Sequence, residues 1–135
     1  METAPKPFPI RFIAWSKTKN KMAHVKAVYW EKGLVVAALL DFTDHESVVS
    51  ADLFNLLQSS GLRDKNKVEI YEGSIVKQLI PNEFGSYQES IGVMFRRNGQ
   101  FIIEHKGLVL DIPEGADIPS PEVIGTIYQN PELLK

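Results

Sequence analysis

The chain has 135 residues, which is enough for one ordinary domain with a substantial hydrophobic core. Its net charge is −2, with 44% hydrophobic and 24% charged residues, so neither disorder nor a general attraction to nucleic acid or anionic lipid is expected. Cysteine is absent, which excludes disulfide bonds, thiolate metal sites and cysteine catalysis.

The first nine residues are predicted to form a flexible tail, and residues 10–135 a single domain. Three prolines within the tail favour extended backbone and remove hydrogen-bond donors. No apolar run is long enough to cross a bilayer, and the N-terminus lacks the basic and then apolar pattern of a signal peptide. A cytoplasmic location is therefore expected.

Residues 10–60 are predicted to form an N-terminal β lobe. A first strand over Ile10–Trp15 is followed by an alternating strand over Met22–Trp30. Glu31, Lys32 and Gly33 form the next turn, after which Leu34–Phe42 is a nearly unbroken apolar strand. Such a run is typical of a strand that is covered on both faces.

Residues 43–60 are ambiguous between helix and strand. Asp44 followed by Glu46 resembles the start of a helix. Apolar residues then recur at helical spacing, and they would cover the preceding strands: Leu53, Phe54, Leu56 and Leu57. The pattern predicts a short helix within Asp44–Leu57.

Residues 61–135 are predicted to form a barrel-like core of short strands joined by tight turns. Asn98-Gly99 is the strongest hairpin signal in the chain. Tyr71, Ile75 and Val76 are predicted to be buried, and Asn130 is predicted to cap a short C-terminal helix. The further strands and the last loop are expected at Ile75–Ile80, Ile91–Phe95, Phe101–Glu104, Leu108–Ile112, Pro113–Pro121 (loop) and Val123–Tyr128.

The predicted fold class is therefore mainly β, with an α+β arrangement as the alternative. The expected architecture is a small bent sheet or barrel of short antiparallel strands, with the N-terminal β lobe and one or two short helices attached.

Three segments resemble the YopX-like proteins of bacteriophages and prophages. The segments are Arg11–Trp15 with Lys21-Met22, Gly61–Val76 and Glu122–Leu134. Their order and spacing suit that family. The resemblance implies a compact β-rich domain from a mobile element, without an established activity.

Two positions depart from the family pattern. The family usually has Gly after Asn66, where this chain has Lys67, and it usually has Asp after Gly73, where this chain has Ser74. Asn66 tolerates a left-handed backbone, but a non-glycine residue at Lys67 predicts strain or another turn type. Any role that depends on the charge of the family's Asp is lost here.

Residues 41–46 form the one dense cluster of titratable side chains. Asp41, Asp44, His45 and Glu46 could together bind a divalent metal ion. The favoured interpretation is a strand end followed by a helix cap, in which Asp44 and Glu46 interact with the helix dipole. No catalytic residue, metal site or cofactor is predicted, and the chain is not expected to be an enzyme.

Basic residues cluster in turns that a barrel would bring together. With two tyrosines that could stack on bases, they are candidate contacts for nucleic acid or for a protein partner: Arg63, Lys65, Lys67, Lys77, Arg96, Arg97, Tyr71 and Tyr87. The alternative is that these lysines and arginines simply occupy exposed turns and keep strand edges soluble.

The favoured function is that of a non-enzymatic phage- or prophage-type accessory protein that acts by protein binding or self-association. Many short strands leave edges that must be closed, covered or paired, so a homo-oligomer is one expected form. The alternative is a nucleic-acid-binding small β-barrel that modulates DNA or RNA transactions. No membrane partner is expected.

Overall fold

The computed structural model describes residues 11–105, 108–111 and 121–134. For Pro81 and residues 108–111 it describes the backbone only. The predicted tail over residues 1–9 lies outside the described residues, as does all but the last residue of the predicted loop 113–121.

The described residues form eleven antiparallel strands and two short 3₁₀ helices. The first sheet has the order β4-β3-β2-β1-β5-β6, and the second has the order β10-β9-β8-β7-β11. The strands are β1 Phe12–Ser16, β2 Lys21–Glu31, β3 Leu34–Asp41, β4 Glu46–Ser50, β5 Phe54–Arg63, β6 Glu69–Tyr71, β7 Ser74–Pro81, β8 Tyr87–Arg97, β9 Gln100–His105, β10 Leu108–Asp111 and β11 Glu122–Thr126, and the 3₁₀ helices are Ala51–Leu53 and Pro131–Leu134.

The hairpin turns follow the local sequence. Lys32 and Gly33 have φ values of 51° and 80°, and Asn98 and Gly99 have 52° and 79°. Two successive residues with positive φ match the right-handed twist of the flanking strands. The predicted β2–β3 and β8–β9 hairpins are therefore confirmed.

The core of the first sheet is built largely from small side chains. Ala14, Ala23 and Ala38 are at most 4% exposed, and they pack with Leu40 and Phe54 on one face. Two irregularities interrupt the β2–β3 ladder, and such bulges bend a strand and increase its twist. Because alanine side chains are small, the strands of this bent sheet can lie close together around their core.

The core of the second sheet consists of larger side chains, and it includes one residue of the first sheet, Ile70. Ile70 of β6 packs with Val76, Met94 and Ile103. Ile75 and Val76 are fully buried, as predicted, whereas Tyr71 is half-buried. Since β6 contributes to this core, the two sheets share part of their packing.

A buried histidine lies in the second sheet beneath a glycine. His105 Nε2 and Gln78 Oε1 are 3.0 Å apart, and burial lowers the pKa of His105, so that the neutral imidazole is favoured. A Cβ on Gly92 would lie 2.8 Å from His105 Cε1 and 2.7 Å from Ile103 Cγ2. Gly92 therefore makes room for the histidine.

One buried carboxylate connects the signature loop to the last strand. Asp64 Oδ1 accepts hydrogen bonds from the backbone N–H groups of Asn66 and Val68, and Oδ2 accepts one from Val123, each at 2.8 Å. Burial alone would raise the pKa of Asp64, but these backbone donors outweigh it and lower the pKa. The ionised Asp64 thus fixes the loop and anchors β11.

The C-terminal segment is also bound to the turn between β6 and β7. The Gly73 carbonyl accepts a hydrogen bond from Ile127 N at 2.9 Å, and Ser74 Oγ accepts one from Tyr71 N at 3.0 Å. The Tyr128 ring stacks on Trp15 of β1, with 5.8 Å between ring centroids. Ser74 therefore stabilises this turn with a neutral oxygen where the family usually has a carboxylate.

Asn130 does not cap the C-terminal helix as predicted. Its Oδ1 accepts a hydrogen bond from Thr126 N at 3.2 Å, so the side chain is directed back towards β11. A Cβ on Gly125 would lie 2.5 Å from that oxygen, which explains the glycine. The predicted short helix is present as the 3₁₀ helix Pro131–Leu134.

The mainly β fold class is confirmed, but the predicted barrel is wrong. The first sheet ends at β4 and β6, and the second ends at β10 and β11. β6 has only three residues, and the chain then turns at Gly73 into the second sheet. Among the described strands no ladder returns to β4, and both sheets are open.

The predicted helix within Asp44–Leu57 is also wrong. This segment forms β4, the first 3₁₀ helix and the start of β5. Leu56 lies opposite Ala14 and Leu57 lies opposite Ile13, so the two leucines point to opposite faces of the strand. A strand covered on both faces produced the apolar spacing that suggested a helix.

Within the described part of the chain, no helix has the length and apolar character needed to cross a membrane.

Candidate functional site

The structure divides the predicted basic residues into separate groups. Three of them form ion pairs with neighbouring glutamates, which compensate their charge on the surface. These pairs are Lys65 with Glu122 at 3.3 Å, Lys77 with Glu89 at 3.9 Å, and Arg97 with Glu104 at 3.8 Å.

Three further residues of the predicted site, Lys67, Tyr87 and Tyr71, do not belong to these ion pairs. Lys67 occupies the turn after Asp64 with a φ of 65°, so it is Lys67 and not Asn66 that takes the left-handed conformation. Tyr87 is exposed at the start of β8. Tyr71 is half-buried, and burial together with the neighbouring Glu69 raises its pKa to about 12.

Arg63 and Arg96 both lie at a cleft between the two sheets, Arg63 in its lining and Arg96 beside it. The cleft has a volume of about 410 Å³, and its lining includes Arg11, Gln58, Arg63 and Phe101. Arg96 lies at its margin, because it is the cross-strand neighbour of Phe101 and its Nη1 donates to Gln58 Oε1 at 2.6 Å. We call this feature the arginine cleft.

The arginine cleft has an excess of positive charge. Arg11 donates to Glu69 Oε1, and this pair is locally neutral. Burial alone would raise the pKa of Glu69, but Tyr71 and Arg11 outweigh it and lower the pKa. Glu69 Oε2 is buried and has no partner in good hydrogen-bond geometry among the described residues. Within the described residues, Arg96 donates to the neutral amide of Gln58 and has no ion pair, so its charge is uncompensated there.

The sequence prediction named Arg63 and missed the other seven residues that line this cleft. They come from β5, β6, β9 and the residue before β1 and have no common motif: Arg11, Gln58, Ser59, Ser60, Gly61, Glu69 and Phe101. Only the packing of β5 and β6 against the second sheet brings them together, so no spacing in the sequence could have identified them.

The titratable cluster over residues 41–46 serves a tight turn and not a helix cap. Asp41 Oδ1 accepts a hydrogen bond from Thr43 N at 2.9 Å, and Glu46 pairs with Lys26. Asp44 contacts His45 Nδ1, and this contact lowers the pKa of Asp44. Within the described residues, no group of three or more His, Asp or Glu side chains is arranged to hold a metal ion.

An exposed apolar surface lies at the end of the β2–β3 hairpin. Trp30 is 62% exposed and Leu34 is 70% exposed, with Tyr29 and Val36 also open to solvent. We call these four residues the hairpin-tip surface. Tryptophan and tyrosine are enriched in protein interfaces because each buries a large area with few rotatable bonds.

The neighbouring edge strand β4 is regular and apolar at its centre. It pairs with β3 without a register shift, from Asp41 opposite Glu46 to Ala37 opposite Ser50. Val48 at its midpoint is 62% exposed. An unprotected edge of this kind presents backbone groups that another strand can pair with.

A match to known proteins covers nearly the whole chain. The family model described as "YopX protein" matches residues 11–135. The crystal structure of protein EF1440 from Enterococcus faecalis is similar with 25% sequence identity and a TM-score of 0.67, over 96% of this chain and 100% of that chain. No curated protein matches the sequence. The signature segments meet where Asp64 and Gly73 bind the C-terminal strand, and on the family match the chain belongs to the YopX family.

Proposed function

We propose that this YopX family member is a non-enzymatic accessory protein of a phage or prophage that acts by binding protein. We further propose that its first partner is a second copy of the chain, which pairs through β4. The observation that carries the proposal is the exposed, regular edge of β4 beside the hairpin-tip surface.

The β4 edge lacks the usual features that prevent edge-to-edge pairing. Natural edge strands are often protected by lysine, proline or a bulge. The sequence of β4 is Glu-Ser-Val-Val-Ser, which has neither lysine nor proline, and its ladder with β3 is continuous. Its one charge, on Glu46, is directed to Lys26 within the same sheet.

The sequence of β4 is also compatible with pairing to itself. In an antiparallel arrangement with the two-fold axis at Val48, Val48 lies opposite its copy, Ser47 opposite Val49 and Glu46 opposite Ser50. No charge then faces a like charge, which would be destabilising across a ladder. This register uses all five residues of the strand.

The hairpin-tip surface would extend such an interface. Ser50 lies opposite Ala37, and the tip residues Leu34 and Val36 precede Ala37 on β3. The tip residues of β3 therefore extend beyond the end of β4. Covering these side chains adds the apolar burial that five pairs of strand residues alone do not supply.

Light scattering on the purified full-length protein over a wide concentration range tests this proposal. We expect a dimer, and we expect the Val48→Lys variant to be monomeric because two ammonium groups would meet at the two-fold axis. Leu79→Lys is the matched control, since it places the same charge on an exposed aliphatic position of β7. A monomeric wild type at every concentration, or equal masses for both variants, would refute self-association.

Nucleic-acid binding is the second candidate function, and the observation in its favour is the positive charge of the arginine cleft. A pull-down from lysate of a phage-carrying bacterium, with and without nuclease, separates the two candidates. Protein partners that persist after nuclease treatment and disappear with Trp30→Ser support protein binding. Partners that disappear only with nuclease support nucleic-acid binding.

A further inference from the structure

We propose that the arginine cleft binds a nucleotide unit, with its phosphate between Arg63 and Arg96 and its base against Phe101. This inference rests on the second candidate function and goes beyond it by naming the site and the contacts. The source of the unit is either a free nucleotide or one residue of a single-stranded nucleic acid.

The charges of the cleft determine where a phosphate would bind. Arg63 has no ion-pair partner within the described residues, and Arg96 donates only to the neutral Gln58. Guanidinium groups suit phosphate because their planar N–H groups match its oxygens in pairs. Arg63 and Arg96 are therefore the two guanidinium groups at the cleft that have no ion pair among the described residues and are available to an anion.

Glu69 limits where a phosphate can bind in the cleft. Its carboxylate holds Arg11 and is itself ionised, so a phosphate near Arg11 would meet a like charge. Because Glu69 is also the cross-strand partner of Arg63, it is a positioning residue that favours a phosphate held on the side of Arg63 that faces Arg96.

Phe101 provides a fixed surface for a flat ring. One part of its side chain packs on the core cluster of the second sheet, and another part lines the cleft. Aromatic rings that are held in this way stack on nucleobases with little dependence on sequence. Because Phe101 is the cross-strand neighbour of Arg96, a base and its phosphate can contact both at once.

The dimensions of the cleft agree with a single unit. Its volume of about 410 Å³ falls within the range of about 300–1,000 Å³ that is typical of small-molecule sites. A nucleotide of drug-like size fits such a volume, and the neighbouring residues of a strand would lie outside the cleft.

Fluorescence anisotropy with a labelled twelve-residue oligo(dT) and full-length protein tests the proposal. Arg63→Ala and Arg96→Ala are each expected to lower the affinity by about tenfold and to reduce the salt dependence by about one counterion. Phe101→Leu is expected to lower it by about tenfold through lost stacking. Arg97→Ala is the matched control, because Arg97 adjoins Arg96 but pairs with Glu104, and it should change the affinity by less than about twofold.

Competition with unlabelled AMP identifies the source of the unit. Displacement of the oligonucleotide by AMP supports a site for free nucleotides, and no displacement by AMP supports recognition of a strand. Arg96→Lys keeps the charge and serves as a second variant if the Arg96→Ala protein melts early.

Two results would overturn the inference. The first is binding that Arg97→Ala weakens as much as Arg63→Ala and Arg96→Ala do, in which case nucleic-acid binding stands and the cleft is not its site. The second is that neither oligo(dT) nor AMP binds at millimolar concentration, in which case the second candidate function fails together with the cleft.

Discussion

The two sheets of this protein are stabilised in different ways. The first sheet consists mainly of strands joined by local hairpins, and its core is rich in alanine. The second sheet is connected to distant parts of the chain through Asp64, Gly73 and Tyr128. Hairpins account for most ladders of both sheets, and the first sheet adds the long-range β1–β5 ladder, whereas side chains far apart in sequence determine how the second sheet is attached.

This difference indicates what the YopX signature specifies. The segments 61–76 and 122–134 contain Asp64, Gly73 and Gly125, all of which act where the two sheets and the C-terminal segment meet. The hairpin-tip surface and β4 lie outside both segments. Two of the three signature segments thus supply the junction of the sheets, and the proposed dimer surface lies outside all three.

We expect the largest loss of stability from Asp64→Ala, which removes the buried carboxylate at the junction of the sheets. The change leaves three backbone N–H groups without their acceptor in a buried site, and we expect a loss of about 4 kcal/mol in the free energy of unfolding. Urea denaturation measures it, with the exposed Asp52→Ala as control. A loss no greater than that of the control would show that Asp64 does not hold the junction.

The same carboxylate predicts a dependence of stability on pH. The pKa of Asp64 is lowered from its usual 3.8 in the folded protein, so the stabilisation is fully present above that value and is lost as the pH falls through the folded pKa. In Asp64→Asn this acid-induced loss should be smaller than in the wild type. Urea titrations between pH 2 and pH 6, chosen to bracket the ordinary carboxyl range, compare the two curves.

The core of the second sheet should respond to Ile75→Ala. Ile75 is fully buried, so the lost transfer free energy and the cavity should together cost about 3 kcal/mol. Thermal melting measures the change, and Ile91→Ala, at a partly exposed position of β8, is the control. A shift in melting temperature equal to that of the control would contradict the packing of β7.

The core of the first sheet should be destabilised by a larger side chain, whereas that of the second sheet is destabilised by a smaller one. Ala14 is fully buried between β2 and β5, and Ala14→Leu would force extra atoms into a closely packed face at a cost of about 2 kcal/mol. Circular dichroism melts give this value, with Ala37→Leu on β3 as the partly exposed comparison. Tolerance of leucine at Ala14 would mean that the first sheet has unfilled space.

The smallest expected effect is a gain in stability. Lys67 has a φ of 65°, and Lys67→Gly should raise the free energy of unfolding by about 0.5 kcal/mol, since the relief of left-handed strain exceeds the extra freedom of glycine when unfolded. Lys65→Gly is the control, and it should destabilise because Lys65 is not among the residues with positive φ. Destabilisation by both changes would indicate that Lys67 is not strained.

Sequence reasoning succeeded where a structure depends on neighbouring residues. The turns at Lys32-Gly33 and Asn98-Gly99 need only local backbone preferences, and both were predicted. Strain at Lys67 was one of the two predicted outcomes for that turn, and Lys67 does have the left-handed conformation, because Asp64 accepts from both Asn66 and Val68 and so fixes the residues between.

Long-range packing explains what could not be predicted. The spacing of Leu56 and Leu57 suggested a helix. In the structure the two side chains point to opposite faces of β5, and both faces are covered, which the sequence alone does not reveal. For the arginine cleft, the sequence pattern named Arg63 and Arg96, but only as basic residues in separate turns. Its remaining residues depend on how the two sheets pack, and neither composition nor spacing encodes that arrangement.

The stacking of Trp15 on Tyr128 gives the molecule a built-in optical probe. The sequence has two tryptophans, of which Trp15 lies where β1 meets the C-terminal segment and Trp30 is largely exposed on the hairpin-tip surface. Acrylamide should therefore quench Trp30 much more than Trp15. With Trp30→Phe, emission comes from Trp15 alone and monitors detachment of the C-terminal segment, whereas with Trp15→Phe it comes from Trp30 alone and monitors partner binding.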